Sequence, residues 1–403
     1  MGHRFARRKL SFERMNVRLR QFALLAAFIF ALATRASAEG TPDSIVVSIS
    51  PRVIGDTSNE HIREVVALWT SYLNSIGDSA YKKHPNPFWS AREQQEFHPF
   101  DLAGLMLYAN SGVPTFCREF KPLVLSVDSI PEGYLIRTAF ITQDTDYFYE
   151  SLFGMEDVLA KREFGHWRLF NAFPYEANQL CEKKQIANFT LYYTRGHHFN
   201  ERLANRTVTF VDSLAKMFSL PVREHYEYYI ADNIDEITAV MGMPFCLSMS
   251  TGITRPEDGR IFTASGLEFY PHELTHLVMG ACGSQFASEG IATWQGGFNY
   301  HEGSLWQSVQ DVKRDLEKAN AWPLDSVIAH EWHFRSANLF YVVGGMVASL
   351  LYKTDGVKGI LQFRAAKQSE VIPTIQSLLK QSNLTVGTIW KRYLLSTYKS
   401  TKE

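Results

Sequence analysis

Two histidines and two glutamates in one short stretch of the chain could bind and use a metal ion. His272 and His276 lie four residues apart, and on a helix this spacing turns by about 40°, so both imidazoles can reach one ion. Catalytic zinc takes three protein ligands and leaves a fourth position open, and two histidines with a glutamate, here Glu289, form a recurring set. Glu273 follows the first histidine and could accept a proton from water. The pattern predicts a zinc hydrolase; the alternative is a helix with two ordinary histidines and a solvated glutamate.

Two short helices are needed to position these four side chains. Leu274, Leu277 and Val278 supply the apolar face of a buried helix that carries the histidines, and Gly280 and Gly283 end it. About a dozen residues then separate His276 from Glu289, which suits a helix end, a turn and a second helix. Small residues after Glu289 would let that second helix approach a neighbour closely. A loop carboxylate is the alternative role for Glu289.

The same residues resemble the gluzincin metallopeptidases, the clan that includes thermolysin and the zinc aminopeptidases. The second helix begins Glu-Gly-Ile-Ala-Thr-Trp at 289–294, similar to short, often secreted bacterial members of the clan. The resemblance covers roughly residues 185–403 and implies a Zn²⁺ cofactor, a peptide or protein substrate, and an edge strand beside the cleft, for which 261–264 is the candidate. Met241-Gly242-Met243-Pro244 lacks the glutamate with which the aminopeptidases hold a free N-terminus. Exopeptidase activity is therefore not supported.

The resemblance also implies a further donor that stabilises the developing oxyanion. Tyr341, followed by two valines and two glycines, resembles the tyrosine-then-glycine helix of the clan. An ordinary core tyrosine is the alternative. His301, His330 and His333 are reserve candidates, with surface or structural histidines as the favoured alternative. Thr293, one turn after Glu289, could orient a ligand from behind, although a plain helix residue is the favoured interpretation.

The first 38 residues are typical of an export signal. A basic stretch, Met15–Arg20, precedes the apolar run Gln21–Ala33, and Ala36-Ser37-Ala38 fits a cleavage site. The apolar run is short of the roughly 20 residues that span a bilayer, so cleavage is favoured over an anchor. Without the signal, which carries eight basic residues and one acidic residue, 33 Lys and Arg face 41 Asp and Glu. This acidic balance argues against nucleic acid as a partner.

The four cysteines do not form a second metal motif. Cys117, Cys181, Cys246 and Cys282 show no Cys-x-x-Cys spacing. Export permits disulfides, but three pairings are possible, and buried free thiols fit equally well.

The length and the periodicities predict an α+β chain of two domains. About 365 residues remain after the signal, more than one core usually supports. The apolar patterns in residues 39–182 predict an N-terminal α+β domain of helices and an antiparallel sheet, which weakly resembles the cone-shaped nuclear-transport-factor-like fold. Residues 183–403 predict a mainly helical, zincin-like catalytic domain with a small mixed sheet. The first domain could bind a ligand or simply pack against the second.

Three functions fit this sequence. The first is an exported zinc endopeptidase with Glu273 as general base. The second is an exported binding protein that keeps a non-catalytic zinc site, although a structural zinc has no use for Glu273. The third is a zinc hydrolase of a non-peptide amide or ester. The sequence leaves the oligomeric state open.

Overall fold

The computed structural model describes residues 46–75, 85–97, 101–108, 120–144, 149–247, 250–298, 304–329 and 337–400. Within these ranges helices and strands are mixed, and the strands form two separate sheets. The α+β class predicted from the sequence is therefore confirmed, whereas the division into two domains stays a prediction. The export signal, Cys117 and the reserve histidines at 301, 330 and 333 lie outside the described residues.

The first sheet is a meander of long antiparallel strands. Its order is β1-β2-β3-β4-β5, in which β1 pairs with β2 in parallel, and a later strand, β9, joins β4. Its strands are β1 Ser48–Ile49, β2 Phe120–Ile130, β3 Gly133–Asp144, β4 Tyr149–Glu163, β5 His166–Asn171 and β9 Phe245–Cys246. The helices of this part are α1 Pro51–Asp56, α2 Glu60–Ser75, α3 Ala91–Glu96, α4 Leu102–Tyr108 and α5 Phe173–Leu180.

The second sheet is mixed and has five strands. Its order is β10-β11-β8-β7-β6, with parallel pairs β11–β8 and β8–β7. The strands are β6 Cys181–Ile186, β7 Phe189–Thr194, β8 Tyr226–Ile230, β10 Gly252–Arg255 and β11 Arg260–Thr263. The predicted edge strand at 261–264 is wrong, because β11 lies between β10 and β8. All four residues of β11 are buried, and the edge is formed by β10.

The remaining helices carry the site and its support. They are α6 Glu201–Phe218, α7 Ile234–Val240, α8 Pro271–Met279, α9 Gln285–Gly296, α10 Leu305–Asp311, α11 Lys313–Lys318, α12 Leu324–Ala329, α13 Ala337–Ala365, α14 Val371–Leu379 and α15 Val386–Ser400. The helix α13 is kinked at Asp355 and Gly356. None of the helices in the described ranges combines the length and the apolar character that crossing a bilayer requires.

The second sheet is buried on both faces. On one face Tyr192, Tyr229 and Phe262 stack as neighbours across three strands, with ring centroids 4.5 and 4.9 Å apart. This face shares a core with the first sheet and the early helices, where Phe173 packs edge-on against Tyr229. The opposite face packs against α6 and α8 through residues such as Leu274. A third core lies among the helices from α9 onward. The second sheet therefore lies between the first sheet on one face and α8 on the other.

Candidate metal centre

The helix α8 carries both candidate histidines and is fixed against the second sheet. Pro271 occupies its first turn, where a missing N–H is tolerated, and Gly280 ends it with φ 62°, a left-handed value that favours glycine. Leu274 and Leu277 are buried in the core that α8 shares with α6 and the second sheet. The predicted helix, with its apolar face and its glycine stop, is confirmed.

The loop before α8 is held by a buried charged cluster. The Glu268 carboxylate accepts hydrogen bonds from the His197 ring at 2.9 Å and from the Asn200 backbone N–H, and the Thr207 hydroxyl donates to the Glu268 carbonyl. The other ring nitrogen of His197 contacts Asp232 at 2.7 Å. The hydrogen bond to Glu268 raises the pKa of His197, helped by Asp232, although burial opposes the shift. The loop is thus tied to α6 and to the end of β8.

Glu289 is delivered by α9, which packs closely on α13. Ser284 caps α9 by accepting a hydrogen bond from Ala287 N–H. A Cβ atom added to Gly290 would lie 2.8 Å from the backbone carbonyl carbon of Gly344, so only glycine allows this approach. The close approach expected of the small residues after Glu289 is confirmed, and its partner is the glycine pair after Tyr341.

Three donor atoms converge at the centre of the site. His272 Nε2 lies 3.2 Å from His276 Nε2 and 3.2 Å from Glu289 Oε2, and His276 Nε2 lies 3.3 Å from the same oxygen. A tetrahedral zinc ion with bonds of about 2.0–2.1 Å separates its ligands by about 3.3–3.4 Å. In the described part of the chain, this is the one group of three metal-binding side chains whose donor atoms meet in this way. The triangle fits zinc in both donor type and size.

The hydrogen bonds behind the histidines leave their Nε2 atoms free for a cation. His272 Nδ1 lies 2.8 Å from the carbonyl oxygen of Gly297, which can only accept, so Nδ1 carries the proton. With the proton on Nδ1, Nε2 of His272 carries a lone pair that faces the Glu289 carboxylate and the His276 imidazole. His276 Nδ1 contacts Ser288 Oγ at 3.1 Å. Gly297 and Ser288 therefore contact the two imidazoles from behind, whereas the buried hydroxyl of Thr293 has no hydrogen-bond partner among the described residues, as the plain-helix interpretation expects.

Without a metal, a proton balances the charge of the triangle. Burial lowers the pKa of His276, but the charge of Glu289, its hydrogen bond and the charge of Glu273 outweigh burial and raise that pKa to about 9. Burial alone would raise the pKa of Glu289. The charge of His276, together with the contacts of both imidazoles with the carboxylate, instead holds the pKa of Glu289 well below its usual value. The site thus attracts positive charge at its centre.

Glu273 and Tyr341 flank the triangle. Glu273 is 6% exposed and receives a hydrogen bond on Oε2 from Thr254 Oγ1 at 2.7 Å. Tyr341, on α13, is half-buried, and its ring centroid lies 6.0 Å from that of His272. All five predicted site residues therefore lie in one region. The contacts of Ser288, Gly297 and Thr254 were missed, and of these only Ser288, beside Glu289, stood near the motif in sequence.

The thiols do not add to the site as ligands. Cys181 and Cys282 are free thiols, and none of the described cysteines joins the group around the triangle. Burial raises the pKa of the Cys282 thiol, although Ser288 and Arg364 oppose the shift.

Neither the protein-family models nor the curated protein sequences contain a match to this chain.

Proposed function

We propose that the chain is a zinc-dependent metallopeptidase of the gluzincin type, with His272, His276 and Glu289 as ligands. The triangle of their donor atoms is the observation that carries this proposal, because its sides of 3.2, 3.2 and 3.3 Å suit tetrahedral zinc. When bound, Zn²⁺ would polarise a substrate carbonyl and lower the pKa of a water molecule to about 7. Glu273 distinguishes the site from a structural one, since it supplies a base that a structural zinc does not need.

The protein groups have separate tasks in this proposal. Glu273 accepts a proton from the attacking water, and that proton leaves with the amine of the cleaved bond. Tyr341 is the candidate donor to the developing oxyanion. The edge strand β10 runs beside α8, and the side of β10 that pairs with no other described strand is the candidate surface for pairing with an extended substrate.

The experiment measures zinc and cleavage in matched variants. The parent should bind one zinc per chain and cleave a mixed peptide library, whereas His276→Ala should lose the metal. Glu273→Gln should keep the metal and lose cleavage. A Glu273→Gln variant that cleaves as well as the parent would refute the peptidase proposal. Zinc binding without any peptide cleavage would favour a binding protein or a hydrolase of another amide or ester.

Tyr341→Phe separates an oxyanion donor from a core tyrosine. We expect kcat to fall by about 100-fold with unchanged zinc content, the size seen when one oxyanion donor is removed. An unchanged kcat would remove Tyr341 from the mechanism.

Export and domain organisation are part of the same proposal. We infer that residues 1–38 direct export and are removed, and that 39–182 and 183–403 form an N-terminal α+β domain and a zincin-like catalytic domain. N-terminal sequencing of the mature protein tests the first inference, with Glu39 as the expected first residue. A mature protein that still begins with the basic stretch before residue 21 would contradict it.

A further inference from the structure

The edge strand contacts the Glu273 side chain directly. Thr254 Oγ1, on β10, lies 2.7 Å from Glu273 Oε2 and 3.0 Å from the Glu273 carbonyl oxygen. A hydroxyl has one proton to donate. The carboxylate oxygen is both closer and the stronger acceptor, so the hydroxyl donates to Glu273 Oε2. Among the described residues, no other side chain or backbone N–H donates to this carboxylate. Thr254 therefore fixes one oxygen of Glu273.

Gly252 makes the second contact with the Glu273 carboxylate. A Cβ atom added to Gly252 would lie 2.4 Å from Glu273 Oε1 and 2.7 Å from Glu273 Cδ. The carboxylate thus lies directly over the Gly252 backbone, and any larger residue at 252 would require the end of the Glu273 side chain to shift. Because Gly252 and Thr254 are two residues apart on a strand, they present the same face to α8.

The strand that makes these contacts is itself well anchored. It pairs with β11 in antiparallel register, Gly252 opposite Thr263, and Ala264 N–H donates to the Thr251 carbonyl at 2.8 Å. Six residues before Gly252, Cys246 lies in β9, which pairs with β4 of the first sheet. The contacts on Glu273 therefore come from a strand attached to both sheets.

We propose that Thr254 and Gly252 are positioning residues that hold the Glu273 carboxylate where it acts as general base. This inference rests on the proposed function. Glutamate has three rotatable side-chain bonds, so a base carried on it needs an external contact to keep one orientation. One hydrogen bond on Oε2 and a glycine surface under Oε1 provide that contact, and no described residue donates to Oε1.

The activity test uses two substitutions of Thr254 with opposite properties. Thr254→Val keeps the shape and removes the hydroxyl, whereas Thr254→Ser keeps the hydroxyl. We expect Thr254→Val to lower kcat by about 10- to 100-fold with KM and zinc content unchanged, and Thr254→Ser to stay within about 3-fold of the parent. Thr263→Val, the same change on the neighbouring strand, is the matched control and should leave kcat within about 2-fold.

Gly252→Ala tests the same carboxylate from its other side. The added methyl group must displace the flexible end of Glu273, so we expect kcat to fall by about 10-fold or more while one zinc remains bound. A Gly252→Ala enzyme with the parent's kcat would contradict a close fit over this glycine.

A second readout does not need catalysis. In zinc-free protein, Thr254→Val leaves a buried carboxylate without its donor, and we expect the melting temperature to drop by about 2–4 °C. In a Glu273→Leu background the same change should have almost no effect. An equal drop in both backgrounds would overturn the contact.

The outcomes separate the two proposals. If the parent cleaves peptides and Thr254→Val has the same kcat as Thr254→Ser, the positioning role is overturned and the peptidase proposal stands. If the parent binds zinc and cleaves no peptide, the peptidase proposal fails and the catalytic role of Thr254 fails with it.

Discussion

Zinc binding should displace a proton from His276. In the metal-free protein the charge of Glu289 raises the pKa of His276 to about 9 against the opposing effect of burial, so this ring is protonated at neutral pH. Its Nε2 atom must lose the proton before it can bind zinc, because a metal ligand needs the lone pair. Binding should therefore weaken as the pH falls.

The size of the effect follows from the distance to that pKa. At pH 7, about two units below that pKa, only about 1% of His276 is neutral, which lowers the apparent zinc affinity about 100-fold, or about 3 kcal/mol. The affinity should rise about tenfold per pH unit between pH 6.5 and 8.5. In Glu289→Gln the charge that raises the pKa is gone, so the slope should flatten near neutral pH.

The assay is a competition between the protein and a chromophoric chelator at several pH values. Calorimetry at pH 7.5 in two buffers with different ionisation enthalpies counts the protons directly, and we expect at least about one per zinc. Zinc binding with no pH dependence and no proton release would show that His276 is not protonated in the metal-free protein, and would refute this prediction.

Three further predictions concern the same region. In zinc-free protein the raised pKa of His276 contributes at most about 3 kcal/mol to the free energy of unfolding. This contribution is fully present below pH 6.5 and is lost as the pH rises through about 9. Urea unfolding measured across this pH range checks the prediction. Ser288→Ala removes the contact to His276 Nδ1 and should weaken zinc binding about 10- to 100-fold in the chelator competition, whereas unchanged affinity would contradict an orienting role. Gly290→Ala places a methyl group against the Gly344 backbone and should cost about 2 kcal/mol or more in urea unfolding, while Gly55→Ala, in open space on α1, should be neutral or slightly stabilising.

Periodicity explains which parts of the fold were predictable. The helix carrying His272 and His276 was predictable because its apolar residues repeat at helical spacing and Gly280 ends it. Likewise, the apolar stripe from Ile62 to Ile76 predicts α2, the run Phe189–Tyr193 predicts β7, and the apolar residues from Phe199 to Phe218 predict α6. The runs Asp157–Arg162 and Trp167–Phe170 predict a hairpin with its turn at Gly165-His166, and the structure forms this hairpin from β4 and β5 with the turn one residue earlier, at Phe164 and Gly165.

The edge strand was misplaced for a physical reason. A strand buried on both faces is a continuous apolar run, and Ile261 and Phe262 gave the stronger signal because β11 is central. The true edge, Gly-Ile-Thr-Arg at 252–255, has a glycine and two polar residues, so its propensity is weak. Its role becomes visible only through contacts with Glu273, nineteen or more residues away in sequence.

The predicted site was accessible because its ligands are close in sequence. One helix carries His272, Glu273 and His276, and a short turn leads to Glu289. The supporting groups depend on tertiary packing instead. Gly297 contributes a backbone carbonyl, which no pattern of side chains predicts. The role of Ser288 depends on the orientation of the His276 ring, which the sequence does not show.

The aromatic face of the second sheet has a practical consequence for shortened chains. Tyr229 and Phe262 are almost completely buried, and they stack in a row with Tyr192 beneath the first sheet and the early helices. Expression of residues 183–403 alone would expose this row to water and leave β9 without the strand it pairs with. Such a fragment should aggregate or bind hydrophobic dyes even if every proposed zinc ligand is present. Recombinant work on the proposed metal site therefore needs the preceding 140 or so residues, which cover this face.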